Sequence, residues 1–181
     1  MPVDTPLHKA CHSGDINEIK KVFEEHDPDE DPIDVNAAGA QDRRPLHRAA
    51  GGNHKDAVAF LIDEKQATVD QVDKPGRTPL HWAAMGGHAE AGAALLDRGA
   101  DITAATASGM TAMHAACEAG HDKFVVFLLE RAPDKLALCA AKDSNDKVPC
   151  DLAVAGKHKA VVTALKGAGD PVAASSACVI C

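Results

Sequence analysis

One tetrapeptide recurs along the chain at nearly constant spacing, and this recurrence constrains the fold more than any other feature. Its copies are Thr5-Pro6-Leu7-His8, Arg44-Pro45-Leu46-His47, Thr78-Pro79-Leu80-His81, Thr111-Ala112-Met113-His114 and the divergent Val148-Pro149-Cys150-Asp151. The fourth positions, 8, 47, 81, 114 and 151, are 39, 34, 33 and 37 residues apart. Such a period indicates a repeat architecture, in which each unit buries its apolar face against its neighbours.

Each copy begins a pattern that is typical of two short helices. Proline in the second position fits the first turn of a helix, and the preceding threonine can cap that helix. Gly87-His88 and Gly120-His121 then end the first helix in a conformation that favours glycine. Asn53 replaces the glycine in one unit and also accepts a positive φ, whereas Lys157 stands there in the last unit, where we expect an altered turn.

Apolar residues at helical spacing predict a second helix in each unit. They are Ile19, Val22 and Phe23; Ala57, Val58, Leu61 and Ile62; Leu95 and Leu96; Phe124, Val125, Leu128 and Leu129; and Val161, Val162 and Leu165. Short segments of β type are expected between units, at residues 33–36, 69–72 and 102–105, and lead into turns.

This unit resembles the ankyrin repeat, which has about 33 residues, a turn and two helices, and carries T-P-L-H-x-A. The resemblance covers roughly residues 4–170. It implies an all-α solenoid of stacked helix-turn-helix units joined by β-turn or hairpin loops. We expect a repeat domain over residues 1–170, with a flexible tail over residues 171–181. The repeats are expected at residues 1–34, 35–68, 69–101, 102–137 and 138–170.

Two intervals are longer than the others. The first contains an acidic, proline-containing insertion at residues 27–34, which is either a solvated loop or a site for a basic partner. The last is longer by about four residues around positions 133–138. The first lies in one terminal repeat and the second borders the other, and departures are expected in terminal repeats because one face meets water.

Partners of ankyrin repeats usually contact the turn tips and the exposed end of the first helix, so the resemblance implies a protein-binding module of adaptor, scaffold or inhibitor type. The matching positions are Gln41, Arg43, Lys74, Arg77, Trp82, Met85, Met110, Glu118 and Lys147. Four of these are basic in a chain of net charge −8, which favours a partner with an acidic segment. The alternative is ordinary charge scatter on a solvated surface. Trp82 either contacts the partner or packs between first helices.

The remaining features argue against other function classes. The negative net charge disfavours nucleic acid as a partner, and no apolar run is long enough to span a membrane. Motif histidines of successive repeats lie about 10 Å apart, too far to share a metal ion. Cys11, Cys117 and Cys150 occupy core positions and are expected to be inert thiols. We therefore expect no cofactor, no metal and no enzymatic activity.

Two rival functions stay open: a subunit of a larger assembly, and an enzyme that uses a cysteine or histidine site. Slow alkylation of Cys117 would argue against the enzyme. We expect a monomer in the cytoplasm. Reduced thiols are expected because the sequence shows no secretory signal, and the C-x-x-C spacing of Cys178 and Cys181 has no second pair upstream.

The last four residues, Cys178-Val179-Ile180-Cys181, resemble a C-a-a-X prenylation box. This resemblance implies lipidation at Cys178 and reversible membrane association, since one lipid chain binds membranes only weakly. The alternative is an accidental ending, and the terminal cysteine is unusual for such a box.

Overall fold

The computed structural model of the protein describes residues 3–26 and 32–174. Over these residues the chain forms twelve α-helices and no strand, so the predicted all-α fold is confirmed. The helices are α1 (Pro6–Ser13), α2 (Ile16–Glu24), α3 (Pro45–Gly51), α4 (Lys55–Asp63), α5 (Pro79–Gly86), α6 (Ala89–Leu96), α7 (Ala112–Ala119), α8 (Asp122–Arg131), α9 (Lys135–Ala140), α10 (Pro149–Ala155), α11 (Lys159–Gly167) and α12 (Pro171–Ala174). None of them combines the length and apolar character needed to cross a membrane.

The first compact unit, called unit 1, contains the described residues up to 83 and residues 90–101. Helix α1 packs along α3, and the second helix of each of these pairs, α2 and α4, also meet. The motif leucines Leu7, Leu46 and Leu80 are each 1% exposed. Because they lie at the same position of successive repeats, they form a continuous core beneath the first helices.

The second compact unit, called unit 2, contains residues 84–89 and the described residues from 102 onwards. Here α7 packs on α10 and α8 packs on α11. Met113 and Cys150 take the place of the motif leucine and are fully buried. Phe124 and Leu128 of α8 are also fully buried, which gives the second helices their inner face.

The first helices start and stop as the motif predicts. The Thr5 and Thr111 side chains cap α1 and α7 in reciprocal capping boxes with His8 and His114. Gly14 and Gly120 follow those helices with φ of 76° and 80°. Lys157 also adopts a positive φ of 59°, so the last repeat keeps the turn although a lysine replaces the glycine.

The structure differs from the sequence expectations in three segments. The insertion after α8 forms the short helix α9, because the Asp134 side chain caps it and its residues Leu138 and Cys139 are buried. Residues 171–174, expected as tail, form α12, which Asp170 caps through the Val172 N–H. Of the expected β-type segments, the described residues show one isolated antiparallel bridge, between Ala105 and Thr111.

Candidate protein-binding surface

Three motif histidines, His8, His47 and His114, each connect their own first helix to the turn of the following repeat. In His8, Nδ1 accepts the Thr5 backbone N–H at 3.2 Å, so Nε2 carries the proton and donates to the Arg43 carbonyl at 2.8 Å. His47 and His114 bond in the same way to the carbonyls of Arg77 at 2.9 Å and Lys147 at 3.1 Å. These three histidines therefore form hydrogen bonds both within their own turn and to the turn of the next repeat.

Burial keeps the motif histidines neutral. It lowers the pKa of His47 to about 4, and it outweighs the hydrogen bond to the Arg77 carbonyl, which acts in the opposite direction. The pKa values of His8 and His114 are lowered for the same reason. These rings are structural donors that fix the turn tips, and their Nε2 atoms are engaged.

Three histidines at the start of second helices, preceded by the turn glycine or its replacement, bond towards the preceding repeat. His54 donates to the His12 carbonyl at 3.1 Å, His121 to the Met85 carbonyl at 3.0 Å and His158 to the Glu118 carbonyl at 2.9 Å. A Cβ at Gly14 would lie 2.1 Å from the His54 ring, so this position needs glycine.

The repeats present four turn tips, which are residues 39–43, 73–77, 106–110 and 143–147. Each tip is closed by its own hydrogen bond of the same type. In each, the N–H of the first residue donates to the carbonyl of the fifth at 2.8–3.0 Å. In three of them the first side chain also accepts the N–H of the fifth residue: Asp73 from Arg77, Thr106 from Met110 and Asp143 from Lys147. The side chain at the first position therefore shapes the tip.

The tip at residues 39–43 lacks that side chain, because its first residue is Gly39. The Asp4 carboxylate fills the space: it accepts the Ala40 N–H at 2.8 Å and pairs with the Arg48 guanidinium. A Cβ at Gly39 would lie 2.5 Å from Asp4 Oδ1. Burial raises the pKa of Asp4, but the Ala40 N–H and Arg48 outweigh burial and lower the pKa overall.

This tip also has an unusual backbone. Gln41 and Asp42 both adopt positive φ, 60° and 56°, within a 3₁₀ turn at Ala40–Asp42. Non-glycine residues adopt this region at a cost of about 1–3 kcal/mol each. The Gln41 carbonyl accepts the Lys74 N–H at 3.0 Å, which ties the strained tip to its neighbour.

Trp82 lies beside the tips of unit 1 and joins them in one cluster. Its Nε1–H donates to Asp73 Oδ2 at 3.0 Å, and the ring is half-buried. The Arg77 guanidinium lies 4.7 Å from the ring centroid and the Arg43 guanidinium 5.4 Å from it. Trp82 therefore packs within the protein and at the same time supports two of the predicted contact residues.

Asp73 neutralises Arg77. Its side chain is fully buried and accepts from Arg77 Nε at 2.9 Å and Nη2 at 2.8 Å. Burial raises the pKa of Asp73, but the hydrogen bonds from Arg77 and Trp82 outweigh burial and hold it below the usual range.

The nine predicted contact residues divide between the two units. Gln41, Arg43, Lys74, Arg77 and Trp82 lie in unit 1, and Met85, Met110, Glu118 and Lys147 lie in unit 2. Five are exposed, namely Gln41, Lys74, Met85, Glu118 and Lys147, and the other four are half-buried. Cys178 and most of the acidic insertion lie outside the described residues.

The geometry gives little support to catalysis by the cysteines or to metal binding by the histidines and cysteines. Burial raises the pKa of the Cys11 thiol to about 12 and raises that of Cys117 further, which suppresses the reactive thiolate. Within residues 3–26 and 32–174, no group of three or more histidine, cysteine or acidic side chains is placed to hold a metal ion.

Sequence reasoning missed three residues of this surface: Asp4, Gly39 and Asp73. Asp73 and Gly39 could have been found by aligning the repeats on the tips, since both occupy the first tip position. The role of Asp4 depends on a contact across 36 residues, which no local pattern reveals.

Comparisons with known proteins agree with this geometry. The family model for ankyrin repeats matches residues 3–73 and 65–139, in three copies. The transient receptor potential cation channel subfamily A member 1 of Drosophila melanogaster is 35% identical over 72 residues, which make up 40% of this chain and 6% of that protein. The match thus spans only a small fraction of the channel.

Proposed function

Because this chain belongs to the ankyrin-repeat family, we propose that it is an adaptor, scaffold or inhibitor-like module that holds a partner protein along its turn tips and first helices. Ankyrin repeats generally mediate protein–protein interaction. The observation that carries the proposal concerns the tips and the ends of the first helices, where the backbone is fixed while side chains stay exposed. Their backbone groups are held by buried histidines, and side chains such as Lys74, Met85 and Lys147 stay exposed.

The exposed side chains suit recognition. Met85 is 42% exposed at the end of a first helix, and methionine is enriched at interface cores. Lys74 and Lys147 project charge from two tips in a chain of net charge −8. An acidic segment of the partner would be attracted to these tips and repelled by much of the remaining surface. We place the protein in the cytoplasm as a monomer that binds protein and not nucleic acid or a cofactor.

The proposal is tested by capturing the partner with matched surface variants. Lys74→Glu, Met85→Ala and Lys147→Glu together change three exposed residues of the proposed surface and should abolish capture. Mass spectrometry identifies the partner retained by the wild type, and circular dichroism verifies that the variant is folded.

A control variant carries the same types of change on the second helices: Lys123→Glu, Val126→Ala and Lys159→Glu. These residues are also exposed, so the control alters charge and apolar surface equally. It should retain the partner. Loss of capture in both variants, or in the control alone, would place the interface elsewhere and contradict the proposal.

Prenylation at Cys178 is a separate proposal, because that residue lies outside the described part of the chain. It would tether the module reversibly to a membrane. Mass spectrometry of the protein isolated from its own cell tests it, and an unmodified Val-Ile-Cys ending would exclude the tether.

A further inference from the structure

The arginines of unit 1 are not equivalent in charge pairing. Three of the five have a carboxylate partner: Arg48 pairs with Asp4, Arg77 with Asp73 and Arg98 with Asp63. Among the described residues, Arg43 and Arg44 form no ion pair. Arg44 faces the protein, since it donates to the Asn36 carbonyl at 3.0 Å and its Nε is buried.

Arg43 is held in one orientation while its terminal amino groups have no acceptor among the described residues. Its Nε–H donates to the Ala40 carbonyl at 2.8 Å, and its guanidinium stacks over Trp82 at 5.4 Å from the ring centroid. Both contacts leave Nη1 and Nη2 without a hydrogen bond. A planar, preorganised guanidinium fork of this kind matches a carboxylate bidentately.

The difference between Arg43 and Arg77 follows from one residue. Arg77 is fifth in its tip and pairs with Asp73, the first residue of that tip. Arg43 is fifth in its own tip, but Gly39 stands in the first position and offers no carboxylate. Asp4 enters this space from the first repeat and directs its charge to Arg48. The tip therefore keeps its shape while Arg43 stays unneutralised.

We infer that Arg43, held by Trp82 and the Ala40 carbonyl, is a receptor for an aspartate or glutamate carboxylate in an acidic segment of the partner protein. This inference rests on the proposed function and names the residue that would bind the acidic segment of the partner. Arg77 and Asp73 position the Trp82 ring and do not themselves take the carboxylate.

The charge at the site favours a carboxylate over a phosphate or a nucleic acid. Arg43 supplies one unneutralised guanidinium, because the neighbouring Arg77 is already paired. One positive charge matches the single charge of a carboxylate, whereas phosphate groups carry up to two charges and usually meet clusters of cations.

Trp82 allows direct measurement, since it is the single tryptophan and the chain contains no tyrosine. The probe is a capped hexaglutamate peptide titrated into the full-length protein while Trp82 emission is recorded. We expect a saturable change that weakens as salt is added. Capped hexaglutamine at equal concentration should give none, and inorganic phosphate at matched ionic strength should neither reproduce the change nor compete with it.

Variants separate a specific receptor from general attraction. Arg43→Gln should weaken hexaglutamate binding about tenfold, because it removes a charge-assisted bidentate contact. Arg43→Lys should rescue only part of the loss, since an ammonium group lacks the planar fork. Lys123→Gln is the charge-matched control on the second helix α8, outside the proposed surface, where an exposed lysine is removed, and should weaken binding less than twofold.

Equal losses in Arg43→Gln and Lys123→Gln would overturn the inference, as would full rescue by lysine, competition by phosphate or the absence of a saturable change in the wild type. The proposed function can fail separately. Suppose that the captured partner is lost from the Lys74, Met85 and Lys147 variant but binds Arg43→Gln as tightly as the wild type. That result would support the proposed protein-binding function and contradict the receptor role of Arg43.

Discussion

Acidification should destabilise unit 1 through His47, a fully buried ring that stays neutral in the folded state. Its Nδ1 accepts the Arg44 N–H at 2.9 Å and its Nε2 donates to the Arg77 carbonyl at 2.9 Å. Burial disfavours a charge on the ring, and the positive charges of Arg44 and Arg77 disfavour it further. The pKa of His47 consequently falls from the usual 6.5 to about 4.

The sign and size of the effect follow from this shift. Above pH 6.5 the ring is neutral in both folded and unfolded chains, so the shift has no effect. As the pH falls from 6.5 towards 4, the unfolded chain binds the proton and the folded chain does not, so stability is lost. The free energy of unfolding should fall by about 2 kcal/mol between pH 7 and pH 5, and by about 3 kcal/mol at pH 4.

The assay is urea unfolding followed by Trp82 emission, which reports on the unit that contains His47. It is repeated at pH 7, 6, 5.5 and 5 at constant ionic strength. In His47→Gln the amide can keep both hydrogen bonds but does not titrate. The difference in unfolding free energy between wild type and variant should therefore shrink by about 2 kcal/mol over this range.

The exposed His12 provides the control, since His12→Gln changes a ring that is solvated in both states. It should show the pH dependence of the wild type. Carboxylates whose pKa is lowered, such as Asp4 and Asp73, also make the protein less stable as the pH falls, but in a lower pH range. They are present in every variant, so their contribution cancels in the difference between wild type and variant. If His47→Gln and the wild type have parallel pH dependences, the assignment of a buried neutral ring is wrong.

Three further changes have defined outcomes in urea unfolding at pH 7. Leu46→Ala removes a core side chain that is 1% exposed and should lower the unfolding free energy by about 2–5 kcal/mol. Asp73→Asn breaks the pair with Arg77 and should lower it by about 2 kcal/mol, with altered Trp82 emission. Asp42→Gly relieves a positive φ of 56° and should raise it by about 0.5–1 kcal/mol. Unchanged stability in any of the three would contradict the contact invoked.

The repeated part of the fold could be predicted from the sequence because its signals are local. The capping boxes of Thr5 and Thr111 need only residues three positions apart. The glycines that end α1 and α7 act through their own backbone. The sequence does not predict helix α9, although Asp134 stands at its start, because the helix has only six residues and the burial of Leu138 and Cys139 depends on contacts with α8 and α10.

The tip at residues 39–43 shows where local reasoning stops. The sequence indicates four basic tip residues but not which of them are neutralised, because pairing depends on distances between side chains of different repeats. Lysine or arginine at equivalent positions can be paired, as Arg77 is, or unpaired, as Arg43 is. Alignment of the tips would have shown Gly39 opposite Asp73, yet not that Asp4 fills the gap.

This arrangement indicates how a repeat scaffold can acquire a specific site without losing stability. Without Asp4, the Ala40 N–H and the Arg48 guanidinium would lose this acceptor in a half-buried place, which is costly. Asp4 satisfies both groups, so the tip persists although its own carboxylate is missing. Asp4 does not pair with Arg43, so the Arg43 charge has no carboxylate partner among the described residues and is available to a partner protein. Compensated departures from the repeat, such as Gly39 with Asp4, therefore single out positions at which a binding role can be tested.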